Sequence, residues 1–405
     1  MPQVKPEVES FARIKVIGVG GSGKNTVNHM VNSKVKGVDF VAINTDAQDL
    51  HNSLAKKKIH IGKNLTRGLG TGMNPELGKR AVEETKEEIQ ESLKGADMVF
   101  ITCGMGGGTG TGAAPSIART AKEIGCLTVA VVTKPFFFEG IQRMKLAEQG
   151  IEELKEVVDA LIIIPNDRLL QTLDKDITAK DAFATCDNIL KQAVEGISDL
   201  ITTPGFINID FADIRAVLEN AGAALMGIGH ASGDKRAEEA ALAAINSPLL
   251  EISITGAKGV LFSIAAGDDL TMFEIQEAAK IITESVDPNA RIIFGTVRSD
   301  KLKKGEIKIT VIASSFPENN IRKGTSLFQS APGEEDKGKG TIFNSFVGGN
   351  KEEEKDKDKK EDKKEEVSVE KKKISSAPTT TKVIDDKDDD DWSAVPAFLR
   401  RSKLK

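Results

Sequence analysis

Short, continuously apolar runs alternate with longer stretches of helical period along the first half of the chain. The runs are Arg13 to Val19, Val38 to Asn44, Met98 to Cys103, Leu127 to Thr133 and Ala160 to Ile164. A strand that is apolar on both faces belongs to a parallel sheet covered on both sides, because a strand with one wet face would alternate polar and apolar positions. Helical segments fall between the runs: one from the turn at Gly18 to about Val31, then Pro75 to about Leu93, Ala113 to Ile124, and Arg143 to Val158. Strand, helix, strand, helix predicts a doubly wound α/β domain over 13–177.

Thr178 to about Leu200 reads as one long helix, with Phe183, Ile189, Leu190, Ala193, Val194 and Ile197 on its buried faces and Asp187 and Asn188 breaking the pattern near its start. A smaller α/β domain over 201–316 follows. Its apolar strands lie at Ala224 to Gly229, Gly259 to Ala266, Arg291 to Val297 and Ile307 to Ala313, with amphipathic helices at Asp234 to Asn246 and Thr271 to Val286. From Pro317 the composition shifts: Lys351 to Lys373 is nearly all Lys, Glu and Asp, so 317–385 reads as disordered linker and 1–12 as a flexible start. The linker ends in a peptide over 386–405 in which Trp392, Phe398 and Leu399 stand beside Arg400 and Arg401, the makeup of a segment that folds onto partners.

Charge and cysteine usage narrow the class. A formal net charge of −5 over 405 residues suggests neither nucleic acid nor an anionic membrane as the partner. Cys103, Cys126 and Cys186 lie at spacings that match no zinc or redox motif and read as buried thiols in a reducing compartment. No apolar run is long enough to cross a bilayer and Met1 to Ser10 is too charged for a signal peptide, so the expected location is the cytoplasm.

The chemistry concentrates in glycine loops at the ends of the strands. Gly104, Gly106, Gly107, Gly108, Gly110 and Gly112, with Thr109 and Thr111 among them, leave almost no side chain between the backbone and whatever the loop approaches. Bare N–H groups between a strand and a helix N-terminus suit a phosphate chain. Gly18, Gly20 and Gly23 satisfy the dinucleotide fingerprint, and Gly18 to Lys24 also satisfies a P-loop except that Asn25 stands where a hydroxyl should hold magnesium. A second glycine loop is superfluous in the first reading and the missing hydroxyl counts against the other. Gly20, Gly21, Ser22, Gly23, Lys24 and Asn25 are therefore expected to form the first of two phosphate cradles. Asn44 and Asp46 end the second strand, where parallel sheets bind ligands; Asp46 is either a helix N-cap or a group near the phosphate or its metal. Gly68 to Pro75, with Gly72, makes a third glycine loop.

Two further pairs of residues carry two readings each. Glu139 and Arg143, four apart on a helix, form either a salt bridge or part of a ligand site. Asp210 and Asp213 open a helix just after Asn208, where acids also serve as caps and dipole partners. His230 reads as structural.

Together these motifs resemble the tubulin and FtsZ superfamily. Gly106 to Gly112 followed by Ala113-Ala114-Pro115 has the FtsZ form, and Asn208, Asp210 and Asp213 match its Asn-x-Asp-x-x-Asp loop. The resemblance implies GTP as the nucleotide, with Asp187 reading the base, Phe183 stacking on it and Asn166 beside it; a carboxylate can accept from both the N1–H and the amino group of guanine. It places Glu139 and Arg143 at the ribose and nearby nucleotide groups, Thr133 among the nucleotide-binding residues, and the loop with Gly72 at the γ-phosphate. Departures are Lys24, where the family usually lacks lysine, and Thr71 and Met73 in place of alanines; Lys24 is either a solvated helix residue or an added phosphate contact. A helix of some 20 residues spans about 30 Å, so Asp210 and Asp213 should lie far from their own glycine loops and act on a neighbour's GTP. The implied protein hydrolyses GTP to GDP with Mg2+, polymerises head-to-tail into filaments at the division site, and docks membrane tethers and regulators through Asp391 to Arg401. The alternative is a scaffold that binds GTP and assembles with negligible hydrolysis.

Overall fold

The structure, a computed structural model, describes residues 12–316 except 172, 174, 175, 249, 251, 252 and 300. The linker, the terminal peptide with Trp392, and residues 1–11 lie outside the described residues. The N-terminal half runs β1 (Ile14–Val19), α1 (Gly20–Asn32), β2 (Val38–Asn44), α2 (Ala47–His51), β3 (Lys57–His60), α3 (Lys63–Thr66), α4 (Pro75–Glu84), α5 (Lys86–Leu93), β4 (Met98–Gly104), α6 (Thr109–Glu123), β5 (Leu127–Lys134), α7 (Ile141–Lys155), β6 (Ala160–Pro165) and α8 (Asn166–Leu170). The long helix is α9 (Ala179–Thr202). After it come α10 (Phe211–Leu218), β7 (Gly222–Ser232), α11 (Arg236–Ile245), β8 (Gly259–Ala266), α12 (Met272–Glu284), β9 (Arg291–Arg298) and β10 (Glu306–Ser314).

The expected doubly wound sheet is present: β3-β2-β1-β4-β5-β6 are parallel neighbours, so their carboxyl ends share one edge. Val99 to Cys103 and Val129 to Val132 are fully buried, because helices cover both faces of these strands. One core cluster lies on the α1 and α9 side of the sheet and a second on the α4, α6 and α7 side. The C-terminal half packs a third cluster around α11, α12, β8 and β10. All three cysteines are buried and unpaired, and among the described residues no helix is long and apolar enough to cross a membrane.

Several boundaries differ from the expected ones. The two halves share one sheet, since β7 adds to β6 in parallel at Ala160 to Ile162 before pairing antiparallel with β10. The helix expected over 75–93 is two helices that meet at Thr85, which caps α5 with a non-helical φ of −121°. The central glycine loop is shorter than expected: α6 begins at Thr109, so Gly110 and Gly112 are helical and Gly112 lies directly on the carbonyl of Pro75. A methyl group there would collide, which is why glycine stands where helix propensity would favour alanine.

Candidate functional site

A cavity of about 420 Å³ opens at the carboxyl ends of β1, β2, β4, β5 and β6. Its floor is backbone. Gly20, Gly21, Ser22 and Asn25 come from the start of α1, Gly70 to Met73 from the loop before α4, and Gly104, Gly107, Gly108, Thr109 and Gly110 from the central loop. Both α1 and α6 start here without a side-chain cap and without an acid in the first turn. Elsewhere Asn74, Thr178, Asp210 and Thr271 cap their helices. Two long helices that aim uncapped first-turn N–H groups at one cavity can receive an anion there.

The loops are held close by contacts that only glycine allows. Gly20 has φ +73° and sits against Gly110, Gly106 has φ +92° and faces the carbonyl of Arg143 at 2.7 Å from where its Cβ would be, and Gly108 packs on the Thr71 hydroxyl. Gly107 is different: no protein atom lies within 4 Å of where its side chain would point, and it lines the cavity. The hydroxyls of Thr45 and Thr109 are 2.6 Å apart, and Thr71 reaches Thr109 at 3.2 Å, tying three loops together. Met73 completes the third loop at φ +65°, an uncommon conformation for a side-chain-bearing residue.

Gly23, Gly106, Thr111 and Gly112 shape these loops from behind without lining the cavity. Thr111 Oγ1 accepts from the Gly106 N–H at 2.9 Å. Lys24 departs from both expectations: its side chain is fully buried, neither solvated nor at the cavity, and its Nζ is 3.0 Å from Asp49 Oδ1. Asp49 Oδ2 accepts from Asn44 Nδ2 at 2.8 Å, and Asn44 Oδ1 accepts from the N–H of Thr45. Lys24 thus braces the end of β2. Asp49 was not foreseen, since an acid one turn after Asp46 looks like any acid in the first turn of a helix.

Asp46 is both a helix cap and a cavity residue. It caps α2 by accepting from the Asp49 N–H at 2.9 Å, and it lines the cavity. Glu139 and Arg143 form an ion pair of 3.1 Å on the cavity wall near Thr133. Glu139 is fixed further by accepting from the Phe136 N–H at 2.9 Å.

The far wall carries Asn166, Phe183 and Asp187. Phe183 meets Phe136 edge-on, with centroids 5.3 Å apart, which fixes its ring plane. Asn166 Oδ1 is buried and has no hydrogen-bond partner among the described residues, a state that a ligand donor would relieve. Asp187 accepts from the Thr26 hydroxyl at 2.6 Å. Burial pushes its pKa up to about 7, against the opposing pull of the Thr26 hydrogen bond and the charge of Lys24.

Asn208, Asp210 and Asp213 are exposed and outside the cavity. They follow the carboxyl end of α9, whose 24 residues span about 36 Å. Asp187 sits near the other end of that helix. Asp210 also caps α10, accepting from the Ala212 N–H at 3.2 Å.

Residues 13–174 match the model of the Tubulin/FtsZ family, GTPase domain, and residues 222–317 that of the FtsZ family, C-terminal domain. Among solved structures, an FtsZ dimer without ligand from M. jannaschii is 46% identical, with a TM-score of 0.73 over 76% of this chain and 89% of that one. CetZ2 from Haloferax volcanii, in a protofilament with GTPγS bound, is 20% identical with a TM-score of 0.62 over 77% of this chain and 96% of that one. CetZ1 from the same organism, a monomer with GDP bound, is 22% identical with a TM-score of 0.66 over 77% and 97%. The last two share the fold.

Proposed function

The chain belongs to the tubulin/FtsZ family, and on that premise we propose that it binds GTP in the glycine-floored cavity and hydrolyses it only where a second subunit supplies Asn208, Asp210 and Asp213. One observation carries the reading: α9 lines the cavity with its first half, from Phe183 to Leu190, whereas the exposed carboxylates follow its carboxyl end. A head-to-tail row joins the two ends, and a heterologous contact with no closing rotation grows as a filament.

The exposed surface supports such a row. Leu69, 84% exposed, lies at the cavity, and Phe137, Phe138 and Ile141 flank the cavity-lining Pro135, Glu139 and Arg143. Phe206 precedes Asn208, while Met272 and Phe273, the latter 84% exposed, open α12. Large apolar side chains left in water at both ends favour burial against a copy of the chain.

Each part then has a task. The N–H groups at the starts of α1 and α6 hold the phosphates, Asp187 and Asn166 read guanine, and Phe183 packs on the ring. Asp210 and Asp213 from the next subunit orient the attacking water with help from Asn208, the positioning on which phosphoryl transfer depends. Among the described residues no three His, Cys, Asp or Glu side chains gather as a metal centre. Magnesium needs only one or two protein oxygens beside phosphates and water, and Asp46, which lines the cavity, would supply one; bound there it would neutralise charge on the phosphates. The peptide Asp391 to Arg401 is proposed to dock membrane tethers and regulators, placing the filament at the division site in the cytoplasm.

The test is GTP hydrolysis per subunit across a wide range of protein concentration, with magnesium present and pelleting followed in parallel. Activity should switch on where polymer appears. Constant activity without polymer would mean that the monomer is complete, and polymer without hydrolysis would mean a scaffold.

A further inference from the structure

A loop that acts on another subunit's nucleotide cannot be organised by a ligand of its own. Its geometry must be set beforehand from within its own chain, and the structure contains the means to do so. The segment between α9 and α10 lies along β9, the edge strand of the sheet. Thr296, buried in β9, exchanges two hydrogen bonds with Ile207: the Ile207 N–H donates to Thr296 Oγ1 at 2.8 Å, and the Thr296 N–H donates to the Ile207 carbonyl at 3.0 Å. The Gly205 backbone presses on the Thr296 carbonyl, and a Cβ on Gly295 would meet Ile209 at 2.9 Å and Leu200 at 3.0 Å. One residue after Ile207, Asn208 Oδ1 accepts from the Gly205 N–H at 2.7 Å and closes the turn. Asp210 follows as the cap of α10.

We infer that Thr296 is a positioning residue for hydrolysis on the adjacent subunit, holding Asn208 and Asp210 in register through Ile207. The inference rests on the function proposed above. Thr296 touches neither cavity nor carboxylate, so its effect passes entirely through the loop backbone. A backbone bond alone would tether Ile207 at one atom; the hydroxyl adds the second point that stops rotation about the first.

Thr296→Val keeps the β-branch and removes the acceptor, while Thr296→Ser keeps the acceptor. Both are compared with the parent and with Asp213→Ala in GTP turnover, GTP binding and pelleting. Thr296→Val should bind GTP and pellet as the parent does, with KM unchanged and kcat down roughly 10- to 100-fold, the scale of a small misplacement of catalytic groups. Thr296→Ser should restore kcat to within about twofold, since it remakes the bond. Gly205→Ala, which leaves β9 untouched and forces the loop off the Thr296 carbonyl, should give the same split and serves if Thr296→Val fails to fold. Parental kcat in Thr296→Val or Gly205→Ala while Asp213→Ala is slow would overturn the positioning role and leave the proposed function standing. Parental turnover in Asp213→Ala would instead remove the function proposed for the loop, and the inference with it.

Discussion

Lys24 Nζ lies 3.0 Å from Asp49 Oδ1 behind the glycine floor of the cavity, with both side chains closed off from solvent. The pair binds α1 to the short helix after β2, and through Asn44 it reaches the backbone of Thr45, whose hydroxyl meets Thr109. A lysine that looks on paper like a ligand contact thus supports the loop that would make the contact.

Removing one member of a buried pair costs more than the pair contributes, because the remaining charge is stranded. Lys24→Met should lower stability by about 3–5 kcal/mol. Urea unfolding of the purified protein measures it; a midpoint within error of the parent would show that Asp49 is satisfied without the lysine.

GTP affinity should depend on pH through Asp187. Its carboxyl, raised to about 7 without ligand, is mostly protonated below that pH, whereas accepting two guanine hydrogen bonds requires the ionised form. Binding should therefore release a proton, and affinity should climb by up to about tenfold per pH unit towards pH 7 and level off above it. For the unliganded protein the sign is opposite. A folded pKa above the ordinary 3.8 favours folding at low pH, and that contribution fades as pH rises through about 7. Calorimetric titrations from pH 5.5 to 8.5 should show the slope in the parent and lose it in Asp187→Asn along with most of the affinity.

Gly107 and Gly112 should respond differently to the same methyl group. At Gly107 there is protein-free space, so Gly107→Ala should fold normally, within about 0.5 kcal/mol, and weaken nucleotide binding by intruding on the cavity. At Gly112 the methyl meets the Pro75 carbonyl, so Gly112→Ala should destabilise the α4 and α6 contact by about 1–3 kcal/mol. Thermal melts with and without GTP separate the two effects.

Asp213→Ala should bind GTP and form polymer yet turn over roughly 100-fold or more slowly, the scale of losing a group that handles the attacking water. Phosphate release at a protein concentration well above the assembly threshold is the assay.

Charge on the exposed apolar ends should act earlier. Phe137→Glu and Phe206→Glu should each keep GTP binding and the melting temperature while losing sedimentable polymer, because both side chains are outside the core and neither lines the cavity. Polymer at the parental threshold in both would exclude these ends from the contact.

Much of the sheet could be read from the chain because a strand covered on both faces has to be apolar throughout, as Val129 to Val132 are. β3 has no such signal: in Lys57–His60 only Ile59 is buried, since an edge strand needs one inward residue. The glycine loops were legible as a class, but not where loop became helix, because Gly110 and Gly112 are poor helix formers chosen for close approach. The direction of Lys24 was invisible, as its partner Asp49 is remote along the chain and typical of a helix start. Thr296 gave no hint either: a threonine in a strand is ordinary until its neighbour across the edge is known.

The seam between the halves of the sheet is short, with Ala160, Leu161 and Ile162 paired to Gly222, Ala223 and Ala224, whereas β7 and β10 pair over eight residues. Yet the core cluster on α9 gathers Ile162 and Ala224 with Leu261, Val297 and Ile312, so side chains cross where hydrogen bonds are few. The long helix is therefore a keel as well as a spacer. Tension between the cavity end and the carboxylate end would run along its continuous axis, and shear across the sheet would be resisted by close-packed side chains that cannot slide past one another without opening voids.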